Sequence, residues 1–363
     1  MRIQRRNALF AAAALAASPL LSRPAAAQGK PDDQGKLEDA VIVRDTGGEF
    51  GKALKQCFYD PFTRASGVKV IPVATSYGDM IAKTVAMSKA GHVEWDIISP
   101  QFYELGLLAP YLVDLGDCSA LPNVASQGLP GICGRHGVQY LMGGVVLSWD
   151  PRAFPERAPQ SWADFWNVAA FPGRRALPSY GNPWNNTLLF ALMADGVPAD
   201  KLFPLDLDRA FRKLDEIRPH IDLWWKTGAQ SEQMFRSGNI QLSPMWSGTA
   251  YAVKRTGVSL DWTFHQAAAD RGSWAILKDS PHPNAARAFI NFYMTNPENH
   301  VAFARAMGYA TTNRASLALL DAAERHELVS SPEMLAELAG IDGEWVEAHR
   351  AATLDRWNSW ISG

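Results

Sequence analysis

Ala40-Val41-Ile42-Val43-Arg44, followed by Asp45-Thr46-Gly47-Gly48 and then Glu49-Phe50-Gly51-Lys52-Ala53-Leu54, is the stretch whose reading decides the fold. Three β-branched residues in a row suit a short buried strand, and the glycine pair suits a turn. Phe50, Leu54, Cys57, Phe58 and Phe62 then recur at helical spacing as far as Arg64. The same strand-then-helix order repeats with a strand at Val68 to Ala74, a helix at Asp79 to Ala90, a strand at Asp96 to Ser99 and a helix from Phe102. Such βαβα order predicts an open, doubly wound and mostly parallel sheet with helices on both faces.

A strand at Gly144 to Trp149 breaks the rhythm, and the Pro-rich stretch Asp150 to Pro159 follows. A second alternating series runs through Ala176 to Pro178, helices at Thr187 to Ala194, Asp208 to Arg218 and Ser231 to Ser237, and a strand at Ile240 to Trp246. A strand at Trp274 to Leu277 and helices at Asn284 to Thr295 and Pro297 to Met307 come next, and Trp345 to Trp360 reads as a last helix packed on the second lobe. With 363 residues the chain exceeds what one core usually supports, so the expected fold class is α/β with two lobes.

Composition narrows the function. The chain is 47% hydrophobic and 20% charged, which fits a globular protein with a sizeable core, and its formal charge of -2 comes without the clustered Lys and Arg that nucleic acid requires. Residues 1–27 read as an export signal, with Arg2, Arg5 and Arg6 before the apolar run Ala8 to Ala17 and small residues Ala25-Ala26-Ala27 at the cleavage site. Arg5-Arg6-Asn7-Ala8-Leu9 suits either a twin-arginine or a general export route. Cleavage near Ala27 removes four arginines and no acid, taking the charge to -6. Beyond it no apolar run approaches the eighteen residues of a membrane span, so an exported, periplasmic, soluble monomer is expected.

Three cysteines remain. Cys118 and Cys133 are close enough in sequence to staple a Pro- and Gly-rich connection, while Cys57 falls on the apolar helix face and reads as buried and free; a bridge that uses Cys57 stays open. Three cysteines in such mixed settings make no zinc site. An open α/β sheet binds ligands beyond the carboxyl ends of its strands, where helix starts offer unpaired N–H donors. The residues at those places are Thr46, Tyr77, Gln101 and Phe102 in the first series, and Trp184, Asn186 and Trp246 in the second. Trp224-Trp225 is read with one ring in the core and its neighbour facing the cleft.

Ser161-Trp162-Ala163-Asp164-Phe165-Trp166, Phe171-Pro172-Gly173, Met193-Ala194-Asp195-Gly196, Met245-Trp246-Ser247-Gly248-Thr249-Ala250-Tyr251 and Gly308-Tyr309-Ala310-Thr311-Thr312-Asn313 follow one another in an order that resembles the extracellular solute-binding proteins of ABC importers, the spermidine/putrescine-type group in particular. The resemblance covers about residues 36 to 325. It implies the two-lobed type II binding-protein fold, with one solute trapped by hinge closure and handed to a membrane permease. It implies crossings near Leu141 to Gly143, near Gln266 to Asp270 and after Asn313. Residues 36–142 plus 268–313 would form lobe 1, and residues 144–266 plus 314–363 lobe 2. Cys118 and Cys133 sit where many members carry a disulfide.

The resemblance also tests ligand chemistry. Trp246 matches an aromatic of the polyamine pocket, Phe102 approximately matches another, and Tyr309 falls at its rim. The acids that hold polyamine ammonium groups do not carry over: their positions fall on Pro183, Asn186 and Gly272, with Asp270 close by. Arg271 adds a cation beside that loop. In the cleft it would call for an anionic ligand group or an internal partner such as Asp270. A polyamine-like amine and a zwitterionic or anionic solute are therefore both open. The sequence shows no G-x-S-x-G elbow, P-loop or H-E-x-x-H, and no cofactor or metal is expected. A secreted hydrolase or a ligand-sensing component would use the same cleft.

Overall fold

The computed structural model describes residues 36–75, 77–179, 186–329 and 331–363, so the export segment and Trp184 lie outside the described residues. Strand β1 (Ala40–Asp45) lies parallel to β2 (Lys69–Ala74) and β3 (Ile97–Ile98). The chain then forms β4 (Cys133–Gly134), β5 (Gly137–Gln139), β6 (Leu141–Trp149), β7 (Arg175–Pro178), β8 (Ile221–Trp225), β9 (Leu242–Trp246), β10 (Asp261–Asp270), β11 (Ser273–Ile276) and β12 (Ala310–Thr311). The first sheet has the order β2-β1-β3-β11-β5-β4; the second has β10-β6-β9-β7-β8, with β12 beside β6.

Two helix-flanked sheets are therefore present, but each is mixed rather than mostly parallel. In the first, β11 runs antiparallel to β3 and β5; in the second, β6 runs antiparallel to β9 and β10, leaving β7 parallel to β8 and β9. The reason is the crossing: β6 leaves the first sheet and β10 comes back, so the two neighbours must point in opposite directions. Only Tyr140 separates β5 from β6, and only Arg271-Gly272 separate β10 from β11. Strand β6 is buried at all nine positions, which suits its near-continuous apolar sequence and central place.

The expected helix at Glu49 to Arg64 is present as Gly48–Leu54, one π turn at Lys55–Tyr59, and Asp60–Ser66. It buries Leu54, Phe58, Tyr59 and Phe62 against the helix Pro283–Tyr293, with Phe58 and Tyr293 rings 4.3 Å apart. His300, in the helix Pro297–Met307, is buried beside both rings. The second core centres on the helix Asn186–Ala194, where Phe190 stacks on Trp162 at 3.6 Å.

The last helix is Gly343–Ser362. Asp342 accepts from the Trp345 N–H and so caps its first turn, and Trp357 is buried near Phe211. Trp224 does not face the cleft: it lies edge-on to Trp357 and Trp360, because this helix covers the outer strand β8. The same helix also meets residues Phe102–Leu108, so it touches the first sheet's flank as well as the second lobe it was expected to cover. Cys118 and Cys133 form a disulfide, and Cys57 is free but half-buried rather than buried.

Candidate functional site

The crossings bring polar residues to one place. Gln101 follows β3, and Phe102, Tyr103 and Glu104 form a short 3-10 turn capped by Glu104, whose carboxylate accepts from the Gln101 N–H at 3.0 Å. That fixed turn pairs with the crossing strand at Gly272. The Gln101 side chain then serves two neighbours: its Nε2 donates to Asp270 Oδ1 at 2.7 Å, and its Oε1 accepts from the Arg271 N–H at 2.9 Å.

Asp270 also receives the Tyr309 hydroxyl, and that hydroxyl in turn accepts the Gly248 N–H at the start of the helix Ser247–Arg255. The network thus links β3, the end of β10, the turn before β12 and the helix after β9. Tyr309 is half-buried. A Cβ on Gly143 would lie 2.5 Å from its ring and one on Gly248 2.2 Å, so only glycine at both positions admits the ring. Burial pushes the Asp270 carboxyl above its ordinary range, with the Gln101 and Tyr309 hydrogen bonds opposing that. Burial, reinforced by Asp270, pushes the Tyr309 phenol well up, so it remains a neutral donor.

Arg271 turns the other way from Asp270, as neighbours on an extended chain do. Its guanidinium carbon sits 4.4 Å from the Phe102 ring centre, and its Nε and one Nη donate to Gln139 Oε1 at 2.9 and 2.6 Å. Among the described residues it makes no ion pair, and burial lowers its pKa from the usual value. Arg271 and Phe102 line a cavity of about 750 Å3, whose other wall is the Gly340–Glu344 segment with Glu347. Glu347 pairs with Arg350 at 3.2 Å; Glu344 is exposed and makes no ion pair among the described residues.

Of the residues expected at the site, the structure joins Gln101, Phe102, Arg271 and Tyr309 through these contacts. Trp246 is half-buried at the end of β9, edge-on to the buried Trp225 at 5.6 Å, and directly precedes the helix whose N-terminus holds Tyr309. Thr46 is exposed after β1, Asn186 opens its helix almost fully buried, and neither shares a hydrogen bond with the network among the described residues. Tyr77 opens the helix Tyr77–Ala90. Of the two alternatives left open for Arg271, the internal pairing with Asp270 does not form: the carboxylate is taken by Gln101 and Tyr309.

Gln139, Tyr103 and Glu344 were missed. Gln139 was hidden in the run Val138-Gln139-Tyr140-Leu141, where a lone amide among apolar residues was the one available signal. Glu344 reaches the cavity only because the last helix bridges the two flanks. Among the described residues no group of three His, Cys, Asp or Glu stands close enough to hold a metal ion.

Two mixed α/β sheets linked by short crossing strands, with a cavity beside the crossing, define the class of two-lobed solute receptors. Residues 58–333 match the family described as bacterial extracellular solute-binding protein. The chain belongs to that family, and it is a periplasmic receptor that supplies a small solute to an ABC importer. It is 32% identical over 329 residues to the gamma-aminobutyric acid-binding protein of Pseudomonas aeruginosa, covering 89% of this chain and 91% of that one. An ABC transporter substrate-binding protein from Bradyrhizobium japonicum superimposes with a TM-score of 0.81 at 30% identity, over 89% of this chain and all of that one. A solved GABA receptor gives a TM-score of 0.75 at 29% identity, over 88% and 97%. These relatives bind solutes rather than transform them.

Proposed function

We propose that the solute is a small zwitterion carrying a carboxylate, of the γ-aminobutyrate kind, and that the protein captures it unaltered. The observation that carries this is Arg271: a half-buried guanidinium, stacked on Phe102, facing a cavity and matched to no carboxylate of the described chain. A buried cation without a counter-ion is costly, and a ligand carboxylate removes that cost. Glu344 and Glu347 on the opposite wall give an ammonium group its complement. The GABA-binding relatives support the same class. A polyamine offers Arg271 nothing but repulsion.

In this reading the mature chain begins near Gln28 and acts as a monomer. Closure swings the first sheet against the second about the links at Tyr140 and Arg271-Gly272. Trp246 and Thr46 contact the solute from opposite sides. The lobes follow the division at residues 36–142 plus 268–313 and 144–266 plus 314–363. Calorimetry with γ-aminobutyrate and with putrescine tests the proposal. The native chain should bind the first and not the second, and Arg271→Gln should cost about 2 to 5 kcal/mol, raising Kd roughly thirtyfold or more. Equal affinity for both compounds, or an Arg271→Gln variant that binds as the native chain does, would overturn it.

A further inference from the structure

Gln139 is fully buried at the end of β5, in the strand that carries the chain from one sheet to the other. Its side-chain oxygen accepts twice from Arg271, at Nε and at one Nη, while its Nε2 donates to the Leu141 carbonyl at 3.3 Å. That last bond fixes which way the amide points, so the oxygen must face the guanidinium. An arginine carries five N–H donors, and the amide oxygen occupies two. The remaining three lie on the edge away from Gln139, while Phe102 covers one face of the plane.

A carboxylate would hold the same two donors with the same geometry. It would also cancel the charge, and a cancelled guanidinium has little left for an anion. A neutral amide gives orientation without neutralisation. We propose that Gln139 is the positioning residue that makes the cleft select a carboxylate-bearing solute: it orients Arg271 while leaving its positive charge for the ligand. This rests on the reading of Arg271 given under Proposed function, and it assigns the selectivity to a residue that does not touch the solute.

The test is Gln139→Glu in the exported, full-length mature protein, titrated with γ-aminobutyrate at pH 7 and pH 5 beside the native chain and Arg271→Gln. The glutamate keeps the size and the acceptor and adds a counter-charge. It should weaken γ-aminobutyrate binding about tenfold or more at pH 7, and because a carboxylate paired with Arg271 stays ionised, the loss should persist at pH 5. Putrescine, which the native chain does not bind, should bind the glutamate variant no worse. A merely structural role for Gln139 would spare γ-aminobutyrate binding in Gln139→Glu, which keeps the size and the acceptor.

If the glutamate variant fails to fold, Gln139→Met decides: removal of the anchor should weaken γ-aminobutyrate binding while the melting temperature stays near native. Arg271→Gln losing affinity while Gln139→Glu, or Met in its place, stays within twofold of native overturns this inference alone. Arg271→Gln binding normally, or a native chain that ignores γ-aminobutyrate, overturns the reading beneath it and this inference with it.

Discussion

His300 sets a limit on how acid a medium the fold withstands. The ring is buried between Phe58 and Tyr293, both 4.9 Å away, and its Nε2 meets the Thr295 carbonyl at 3.2 Å. Burial pushes its pKa down from 6.5 to about 4, with hydrogen bonds to the Tyr293 and Thr295 backbone opposing the shift. The sign follows from proton uptake: between those values the unfolded chain binds a proton that the folded chain refuses, so stability falls as pH drops. A gap of roughly two pKa units corresponds to about 3 kcal/mol, most of which is lost by pH 4.5.

Urea denaturation at pH 7 and pH 4.5 reads this directly when the native chain is compared with His300→Gln, which keeps a donor for the Thr295 carbonyl and has no proton to gain. Carboxylates elsewhere move both proteins alike. The native chain should lose about 2 to 3 kcal/mol more than the variant over that interval. Equal losses would refute the reasoning, since they would mean the buried ring takes up its proton without opening the core.

Asp270 behaves in the opposite sense. Its carboxyl is raised by burial, so the fold is favoured below the ordinary carboxylate range and loses that contribution as pH rises through the raised value. Asp270→Asn should therefore melt higher than the native chain at pH 7, with the difference closing toward pH 3.5; an asparagine variant less stable at pH 7 would contradict this. The Cys118–Cys133 bridge spans 15 residues, and replacing both cysteines with serine should cost about 3 kcal/mol of unfolding free energy. Denaturation curves with and without reductant should differ for the native chain and coincide for the variant.

Much of the scaffold was legible because local chemistry agreed with the final structure. Val41-Ile42-Val43 makes β1, and Pro297 opens the helix Pro297–Met307 at the expected residue. The strands β8 and β10 were not legible. Trp224-Trp225 reads as an aromatic pair near the loop Lys226 to Gln230 with no strand assigned to it, and Thr263, His265 and Gln266 interrupt β10, where its register with β6 also shifts. The site split in the same way. Phe102 was found because it follows a strand and Arg271 because it lies beside the loop where the acids of the resembled family would fall, while the partners that give them meaning come from far along the chain: Gln139 is 132 residues from Arg271. Trp224 was misplaced for the same reason, because its surroundings depend on a helix more than a hundred residues later.

The shortness of the two links has a mechanical result. One residue at Tyr140 and two at Arg271-Gly272 leave only a few backbone torsions between the sheets, and Tyr140 is further pinned by its stack on Trp274 at 4.2 Å. Paired strands so close together leave no slack for sliding or twisting apart. In the closure proposed above, rotation about these links would leave the Arg271 backbone near the axis, so the residue proposed to greet the solute would barely travel while the walls around it sweep.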